Sequence, residues 1–182
     1  MDLYLIKECR YYVGMSSGIF DTADLFEKPM LITNIPNFTL AYPRRPNDRG
    51  ILKHVYSKSK GRFLSIQELL RAGWDVQHRF ALHDEFVMYE NTPDELLDAV
   101  REFLDPQEPT SLQREFNALR IQEGQKLLAE RFMDGHYNDM HNRYRYAARL
   151  ESSNGFVGAK FLQANWSSSS RQCADTSMSA KC

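Results

Sequence analysis

The stretch Tyr11–Asn34, YYVGMSSGIFDTADLFEKPMLITN, decides the predicted fold. The apolar run YYVGM ends on Ser-Ser-Gly, and a helical pattern that begins at Gly18 ends before Pro29, since proline cannot continue a helix. The residues MLITN then have the composition of a second, buried strand. Strand, turn, helix and strand within about 25 residues are typical of a βαβ unit. The stretch therefore predicts an α/β fold, a Rossmann-like parallel sheet flanked by helices.

Two capping boxes predict where later helices begin. Ser65 with Glu68 starts a helix that Gly73 ends, and Thr92 with Glu95 starts a second helix whose first residue is proline. The other predicted elements are a helix over Asp2–Glu8, a strand over Glu85–Asn91, a long helix over Ser111–Asp134 and a last helix over Phe156–Trp166. Residues 35–50 and 135–155 are predicted to be irregular because proline or polar residues dominate them.

Composition bounds the class of protein. The chain has 182 residues, 42% of them hydrophobic and 26% charged, which suits one globular domain with a real core. A formal net charge of -1 gives no electrostatic case for nucleic acid as a partner, since nucleic-acid-binding proteins carry a basic face. No apolar run is long enough to span a membrane, and the N-terminus lacks the order of a secretion signal. The three cysteines form no disulfide framework, so a cytoplasmic location is predicted.

Ser16, Ser17 and Gly18 form the first candidate site. A strand that ends at a helix N-terminus points free amides and the positive end of the helix dipole at a bound anion. Glycine lets the ligand approach the backbone, and serine hydroxyls add donors. The pattern therefore suits a phosphate group. Two structural explanations remain open, namely that Ser17 only caps the helix and that Gly18 only permits close packing.

The loop after the second strand carries the next candidates. Asn34 or Asp48 could bond a sugar or ribose, and a group of basic side chains could neutralise a diphosphate. The basic group is Arg44, Arg45, Arg49 and Lys53. A solvated basic loop is the alternative interpretation.

Glu90 and Asn91 form a third candidate group, between the predicted strand and the helix that Thr92 caps. Thr92 and Glu95 are fully explained by the capping box, whereas Glu90 and Asn91 are not. His136 and His141 miss the helical spacing of a metal pair, and the other histidines lack evident acidic or cysteine partners. The sequence therefore predicts no metal site and no cofactor.

The order of these motifs resembles a family of bacterial glycosyltransferases associated with surface-glycan loci. The resemblance runs through CRYYVGMSSG, KPMLITNIP, GRFLSIQELL and YENTPDELLDAVREFLD, covers about Asp2–Asp105, and returns weakly in KFLQAN. Each motif is unspecific alone, but the ordered set is fairly specific. Leu52 stands where the family has proline, and Glu27 stands where it has glycine.

The resemblance implies a GT-B enzyme, with two Rossmann-like domains facing each other across a cleft. It implies that Ser16, Ser17 and Gly18 bind the diphosphate of a nucleotide-sugar donor and that Asp21 lies near the ribose. Asp48 and Lys53 keep the family's spacing. The nucleotide-sugar set expected from the whole sequence is Ser16, Ser17, Gly18, Asp21, Asn34, Asp48, Lys53, Glu90 and Asn91.

The same resemblance implies a domain organisation and partners. Residues 1–134 would be the donor-binding domain and 135–166 a helical extension, with an N-terminal acceptor domain missing. Composition predicts that residues 167–182 are a disordered tail, because they have almost nothing to bury. The partners would be a nucleotide diphosphate sugar and a surface-glycan acceptor, and a lipid-linked acceptor would allow peripheral membrane association. A UDP-sugar epimerase and a non-catalytic nucleotide-binding remnant are the alternatives left open.

Overall fold

A computed structural model describes residues 2–39, 41–72, 84–130 and 140–167. The helices in these ranges are α1 (Asp2–Glu8), α2 (Gly18–Leu25), α3 (Ile66–Arg71), α4 (Pro93–Leu104), α5 (Ser111–Glu130), α6 (Met140–Ser152) and α7 (Ala159–Asn165). The strands are β1 (Tyr12–Gly14), β2 (Met30–Ile35), β3 (Arg49–Leu52), β4 (His54–Ser57), β5 (Arg62–Phe63), β6 (Phe86–Tyr89) and β7 (Phe156–Val157). Of the predicted disordered tail, residues 167–182, only Ser167 lies within the described residues.

The main sheet has four parallel strands in the order β1-β2-β3-β7. Tyr12 pairs with Met30 and Gly14 with Ile32, so β1, α2 and β2 form the predicted βαβ unit. The fold is therefore α/β with a parallel sheet flanked by helices, which confirms the predicted class at this level. Strand order follows chain order throughout the described sheet.

A second sheet of three antiparallel strands, in the order β5-β4-β6, projects from the first. β4 begins at His54, two residues after β3 ends at Leu52, so it continues from the carboxyl edge of the main sheet. β6 runs antiparallel to β4 and therefore returns toward that edge, where α4 begins. The sequence predicts β6 but not β4 or β5.

The segment between β2 and β3 contributes side chains to the core. It is therefore neither the diphosphate-binding loop nor the solvated basic loop that the sequence suggested. Phe38 and Tyr42 are almost fully buried, and Tyr42 stacks on Phe116 of α5 at a centroid distance of 6.0 Å. The Arg120 guanidinium lies 4.1 Å from the centroid of the Tyr42 ring. The prolines of this segment prevent a regular helix or strand, but the apolar side chains between them are still buried in the core.

Both predicted capping boxes are present. Ser65 accepts a hydrogen bond from the Glu68 amide, Thr92 accepts one from the Glu95 amide, and each glutamate bonds back to the cap residue. α6 was not predicted, because its sequence is mostly polar. Its buried residues include Tyr146 and Leu150, four apart, and a Cβ at Gly124 of α5 would lie 2.7 Å from Leu150.

The last predicted helix is shorter than expected. Phe156 and Val157 form strand β7, which pairs with β3, and the helix begins only at Ala159. Two residues are too few to show a strand period in the sequence. Among the described residues, no helix combines the length and apolar character that crossing a bilayer requires.

Candidate functional site

Ser16, Ser17 and Gly18 are exposed at the carboxyl end of β1, where α2 begins. The Ser17 backbone is extended, with φ -141° and ψ 178°, and its carbonyl accepts a hydrogen bond from the Phe20 amide at 3.0 Å. The amides of Gly18 and Ile19 lie in the first turn, for which the helix supplies no acceptor. This helix end therefore presents backbone donors at an open surface.

The structure excludes both structural explanations for the Ser-Ser-Gly motif. Ser17 occupies the N-cap position, but its side chain makes no capping hydrogen bond. A Cβ at Gly18 would meet no atom of the described residues within 4 Å, so close packing among them does not require glycine there. The hydroxyl of Ser17 and the space beside Gly18 are both free for a ligand.

Asn34 reaches the same edge through an irregularity in β2. The pairing between β2 and β3 shifts between Ile32 and Ile35, and Asn34 takes a positive φ of 52°. Bulges of this kind re-aim a side chain, and asparagine tolerates the left-handed conformation better than most residues. The Asn34 side-chain amide then lies 3.7 Å from the Met15 sulfur, one residue before Ser16. The bulge thereby connects the ends of β1 and β2.

Asn91 holds this edge together from inside. The Asn34 amide donates to Asn91 Oδ1 at 2.8 Å, and the Asn91 amide donates to Asn34 Oδ1 at 2.6 Å. Asn91 Nδ2 also donates to the Leu52 carbonyl at 2.7 Å. Asn91 is buried, and both polar atoms of its side chain are bonded within the protein. Asn91 therefore holds the ends of β2 and β3 in place. This corrects its assignment to the ligand-binding set, because its buried side chain is already bonded within the protein.

Lys53 and Glu90 form an ion pair above the same edge. Their side chains are separated by 2.7 Å, and Glu90 is the more exposed partner at 60% against 24%. Exposed pairs of this kind contribute at most about 1 kcal/mol. Lys53 can therefore exchange Glu90 for an arriving phosphate at small cost.

Asp48 lies at the opposite edge of the sheet, which corrects its assignment to the site. It precedes β3, and its carboxylate accepts the amide of Met30, the first residue of β2, at 2.9 Å, and the Arg45 amide at 3.0 Å. Asp48 is fully buried. Burial raises its pKa, partly offset by those two hydrogen bonds. Asp48 is a structural residue that ties the starts of β2 and β3 to the loop.

Three of the four basic candidates are likewise absent from the site. Arg44 and Arg45 both pair with Asp24 in α2, and Arg45 also donates to the Lys28 carbonyl at 2.8 Å. Arg49 is buried, with Nε 3.4 Å from Glu102. Of the four basic candidates, only Lys53 comes after β3 in the chain and therefore lies at the carboxyl edge of the main sheet. Sequence order alone could not separate residues that precede β3 from one that follows it, because the strand itself was not predicted.

Asp21 remains near the site, in the exposed first turn of α2. Its negative charge acts on Arg149 of α6, whose pKa is lowered by burial and partly restored by Asp21. The Asp21 carboxylate therefore lies on a side of α2 within electrostatic range of α6. It stands one helical turn from Gly18.

His54 and Glu95 form a pair beside the site that sequence reasoning missed. His54 Nε2 lies 2.8 Å from the Glu95 carboxylate, which also accepts the Thr92 amide in the capping box. Burial raises the pKa of Glu95, but the bonds from His54 and Thr92 outweigh it and the pKa is lowered overall. The capping box fully explains Glu95 at the sequence level, so no sequence signal indicates its second partner.

The site thus combines exposed backbone amides, two serine hydroxyls, one lysine and an exposed carboxylate. This set suits binding of a polar anion such as a phosphate or diphosphate. Among the described residues, no group of histidine, cysteine, aspartate or glutamate side chains could hold a metal ion. The helix-start amides and Lys53 are the positive groups that the described part of the site offers to an anion.

No protein-family model, curated protein or solved structure matches the chain. The resemblance to surface-glycan glycosyltransferases therefore stands on the sequence motifs alone.

Proposed function

We propose that the chain is the donor-binding half of a GT-B glycosyltransferase, which transfers a sugar from a nucleotide diphosphate sugar to a surface-glycan acceptor. The observation that carries the proposal is the open helix start at Ser16–Gly18. The Ser17 side chain makes no capping hydrogen bond there, and no described atom fills the space beside Gly18. Lys53 and Glu90 at the same edge supply the charge and the hydrogen-bonding partner that such a donor needs.

In this reaction the bond between the sugar's anomeric carbon and the diphosphate oxygen breaks, and the diphosphate leaves with the bonding electron pair. The acceptor hydroxyl oxygen bonds to that carbon and gives its proton to a base, which the family resemblance places in the acceptor half in inverting members. The protein stabilises the departing diphosphate by fixed amide dipoles at Gly18 and Ile19 and by the Lys53 ammonium group. No side chain of this site acts as a nucleophile in the proposal. Glu90, once released by Lys53, is free to accept hydrogen bonds from sugar hydroxyls.

Hydrogen exchange with and without nucleoside diphosphates tests the proposal directly. We expect ligand to slow exchange of the Gly18, Ile19 and Phe20 amides and to leave amides at the start of α3 unchanged. Gly18→Val should abolish this protection, because the valine side chain would occupy the space that the ligand needs. It should not unfold the protein, because that space holds no described atom. Lys53→Ala should weaken protection by removing the cation.

Ser17→Ala and Ser65→Ala provide a matched pair. Ser65 makes a true capping bond, so its loss should lower the free energy of unfolding by about 1 kcal/mol while ligand protection persists. Ser17 makes no such bond, so its loss should reduce protection with little effect on stability. Absence of protection at saturating concentrations of every nucleoside diphosphate would refute the proposal.

A further inference from the structure

The helix α1 has little support within the described part of the chain. It is seven residues long, and isolated helices of that length are not stable in water. Among its apolar side chains Ile6 packs against the main core, whereas the consecutive residues Leu3, Tyr4 and Leu5 are each more than half exposed. Because successive residues of a helix are about 100° apart, these three side chains cover a wide arc of the surface of α1. A second surface packed against that arc would stabilise the helix.

The exposed apolar side chains of α1 belong to a larger patch. α1 contacts α2, and α2 packs on β1, so the three elements are contiguous. The patch consists of the large apolar side chains of these elements that are at least half exposed: Leu3, Tyr4, Leu5, Val13, Met15, Ile19 and Leu25. With about 170 to 260 Å² for a whole residue of these types, their exposed surface is roughly 800 to 900 Å², which is comparable with the ~800 Å² that each partner buries in a standard protein interface.

The strand β1 adds unpaired backbone groups to this patch. The Tyr12 amide donates to the Pro29 carbonyl at 2.9 Å, so the backbone groups of Tyr12 face β2. Because successive backbone groups of a strand point to alternate sides, the N–H and C=O of Val13 point away from β2. In the described sheet no strand pairs with β1 on that side. Val13 therefore offers one donor and one acceptor at an open sheet edge.

We propose that this patch binds a second copy of the chain, with the two β1 strands pairing antiparallel about a two-fold axis at Val13. The Val13 amide of each copy donates to the Val13 carbonyl of the other, which joins the two main sheets into one. A two-fold interface uses the same surface on both copies, so one apolar patch with one donor and one acceptor is sufficient for both sides. The pairing also protects an edge that would otherwise template aggregation.

The charges and the backbone groups of the patch favour a protein partner over a lipid surface. The exposed charged side chains beside it are of both signs: Lys7, Glu8, Arg10, Asp21 and Glu27. Helices that lie on membranes are instead rich in basic residues on their polar face. A strand edge in contact with lipid would also leave its N–H and C=O groups without partners. Between two copies, the mixed charges cause little repulsion and the edge groups bond to each other.

Antiparallel pairing leaves the proposed nucleotide site open. Ser16–Gly18 follow β1 at its carboxyl end, so the two helix starts would lie at opposite ends of the joined sheet. The inference therefore does not depend on the proposed function. Self-association and nucleotide binding can be measured separately on the same protein.

Sedimentation equilibrium of the full chain tests the inference. We expect a dimer with a Kd of about 10 µM or tighter, and no larger species because a two-fold interface is closed. Val13→Pro removes the outward-facing amide, and proline is tolerated on an edge strand whose N–H faces solvent. This variant should weaken the dimer by about tenfold or more through the loss of two hydrogen bonds, while the far-UV circular dichroism spectrum stays that of the wild type.

Leu5→Asp and Leu104→Asp form a matched pair of variants. Both leucines lie in helices and are similarly exposed, at 59% and 55%, and both changes add one negative charge. Leu5→Asp should weaken the dimer by about tenfold or more, and Leu104→Asp should leave it unchanged. Hydrogen exchange of the Val13 amide should slow as the concentration of the wild type rises, and Leu5→Asp should abolish that slowing. If Val13→Pro does not fold, this pair and the Val13 amide decide the question.

Three results would overturn the inference. The first is a wild type that stays monomeric well above the expected Kd. The second is a dimer that Leu5→Asp and Leu104→Asp weaken equally, or an assembly that grows beyond two copies. The third is a monomeric wild type that binds phosphatidylglycerol vesicles and loses that binding in Leu5→Asp, because the patch would then be a membrane surface.

Discussion

Single residues set the geometry of the carboxyl edge. Asn34 adopts φ 52° within the irregular part of β2, so its backbone amide turns away from the strand ladder and bonds to Asn91. A β-branched residue would be strained in that conformation. One asparagine therefore provides both the bulge and the bond that joins β2 to the start of α4. Ser16 and Ser17 are linked to Asn34 only indirectly, because the Asn34 side-chain amide lies near the sulfur of Met15, the residue before Ser16.

Asp48 provides a residue-scale prediction that separates structure from binding. Asp48→Ala leaves the buried Met30 amide and the part-buried Arg45 amide without this acceptor, at about 1–3 kcal/mol for the Met30 amide and less for the Arg45 amide. Asp48→Asn should be less destabilising, because one carbonyl oxygen remains and the buried charge is removed. Urea unfolding measures both variants. Nucleotide affinity of the folded Asp48→Asn protein should equal that of the wild type, and a selective loss of affinity would return Asp48 to the site.

At the scale of elements, the start of α4 fastens the two sheets together. Thr92 and Glu95 close the helix N-terminus, Glu95 also binds His54 of β4, and Asn91 binds the ends of β2 and β3. A local capping motif thus becomes a tertiary junction. The Lys53–Glu90 pair and Tyr89 are positioned by this junction because they immediately flank its members.

The lowered pKa of Glu95 gives the junction a predictable pH dependence. A carboxylate whose folded pKa is depressed stabilises the protein above its unfolded pKa, and this stabilisation is lost as pH falls through the folded pKa. The free energy of unfolding should therefore fall below about pH 4 in the wild type, and less steeply in Glu95→Gln. Denaturant unfolding across that range measures both slopes. Equal slopes for the two proteins would mean that Glu95 does not carry the effect.

For the whole molecule, most of the large apolar side chains that are exposed in the described part of the chain lie in its first 25 residues, around the β1 edge of the main sheet. Within the described strands, β1 pairs only with β2. Seven large apolar side chains in the first 25 residues are at least half exposed: Leu3, Tyr4, Leu5, Val13, Met15, Ile19 and Leu25. Open, apolar sheet edges favour association with other chains.

Val13→Lys tests this property of the β1 edge. Val13 is 53% exposed, so the free energy of unfolding should change by no more than about 0.5 kcal/mol. Self-association at high protein concentration, measured by sedimentation, should decrease because lysine blunts an edge strand. Leu97→Lys, at a similarly exposed position in α4, should not change it. Equal effects of the two variants would indicate general charge repulsion instead.

The sequence by itself determined the elements whose signals are local. The βαβ unit, both capping boxes and the long helix α5 follow from hydrophobic period, proline, glycine and cap residues, each read within a few positions. The strand-to-helix turn at Ser16–Gly18 belongs to this group, whereas its exposure and the missing capping bond of Ser17 were decided by the tertiary structure.

Only the tertiary structure decided which candidates share an edge. The strands β3, β4 and β7 were not predicted, and the pairing of β3 with β2 places Lys53 at one end of the main sheet and Asp48 at the other. α6 is a helix despite its polar sequence because Tyr146 and Leu150 are buried by packing. An aromatic cluster of Tyr56, Phe63 and Tyr89 likewise exists only through strand pairing. Contacts between residues distant in the chain are set by packing, which no local pattern of residue types encodes.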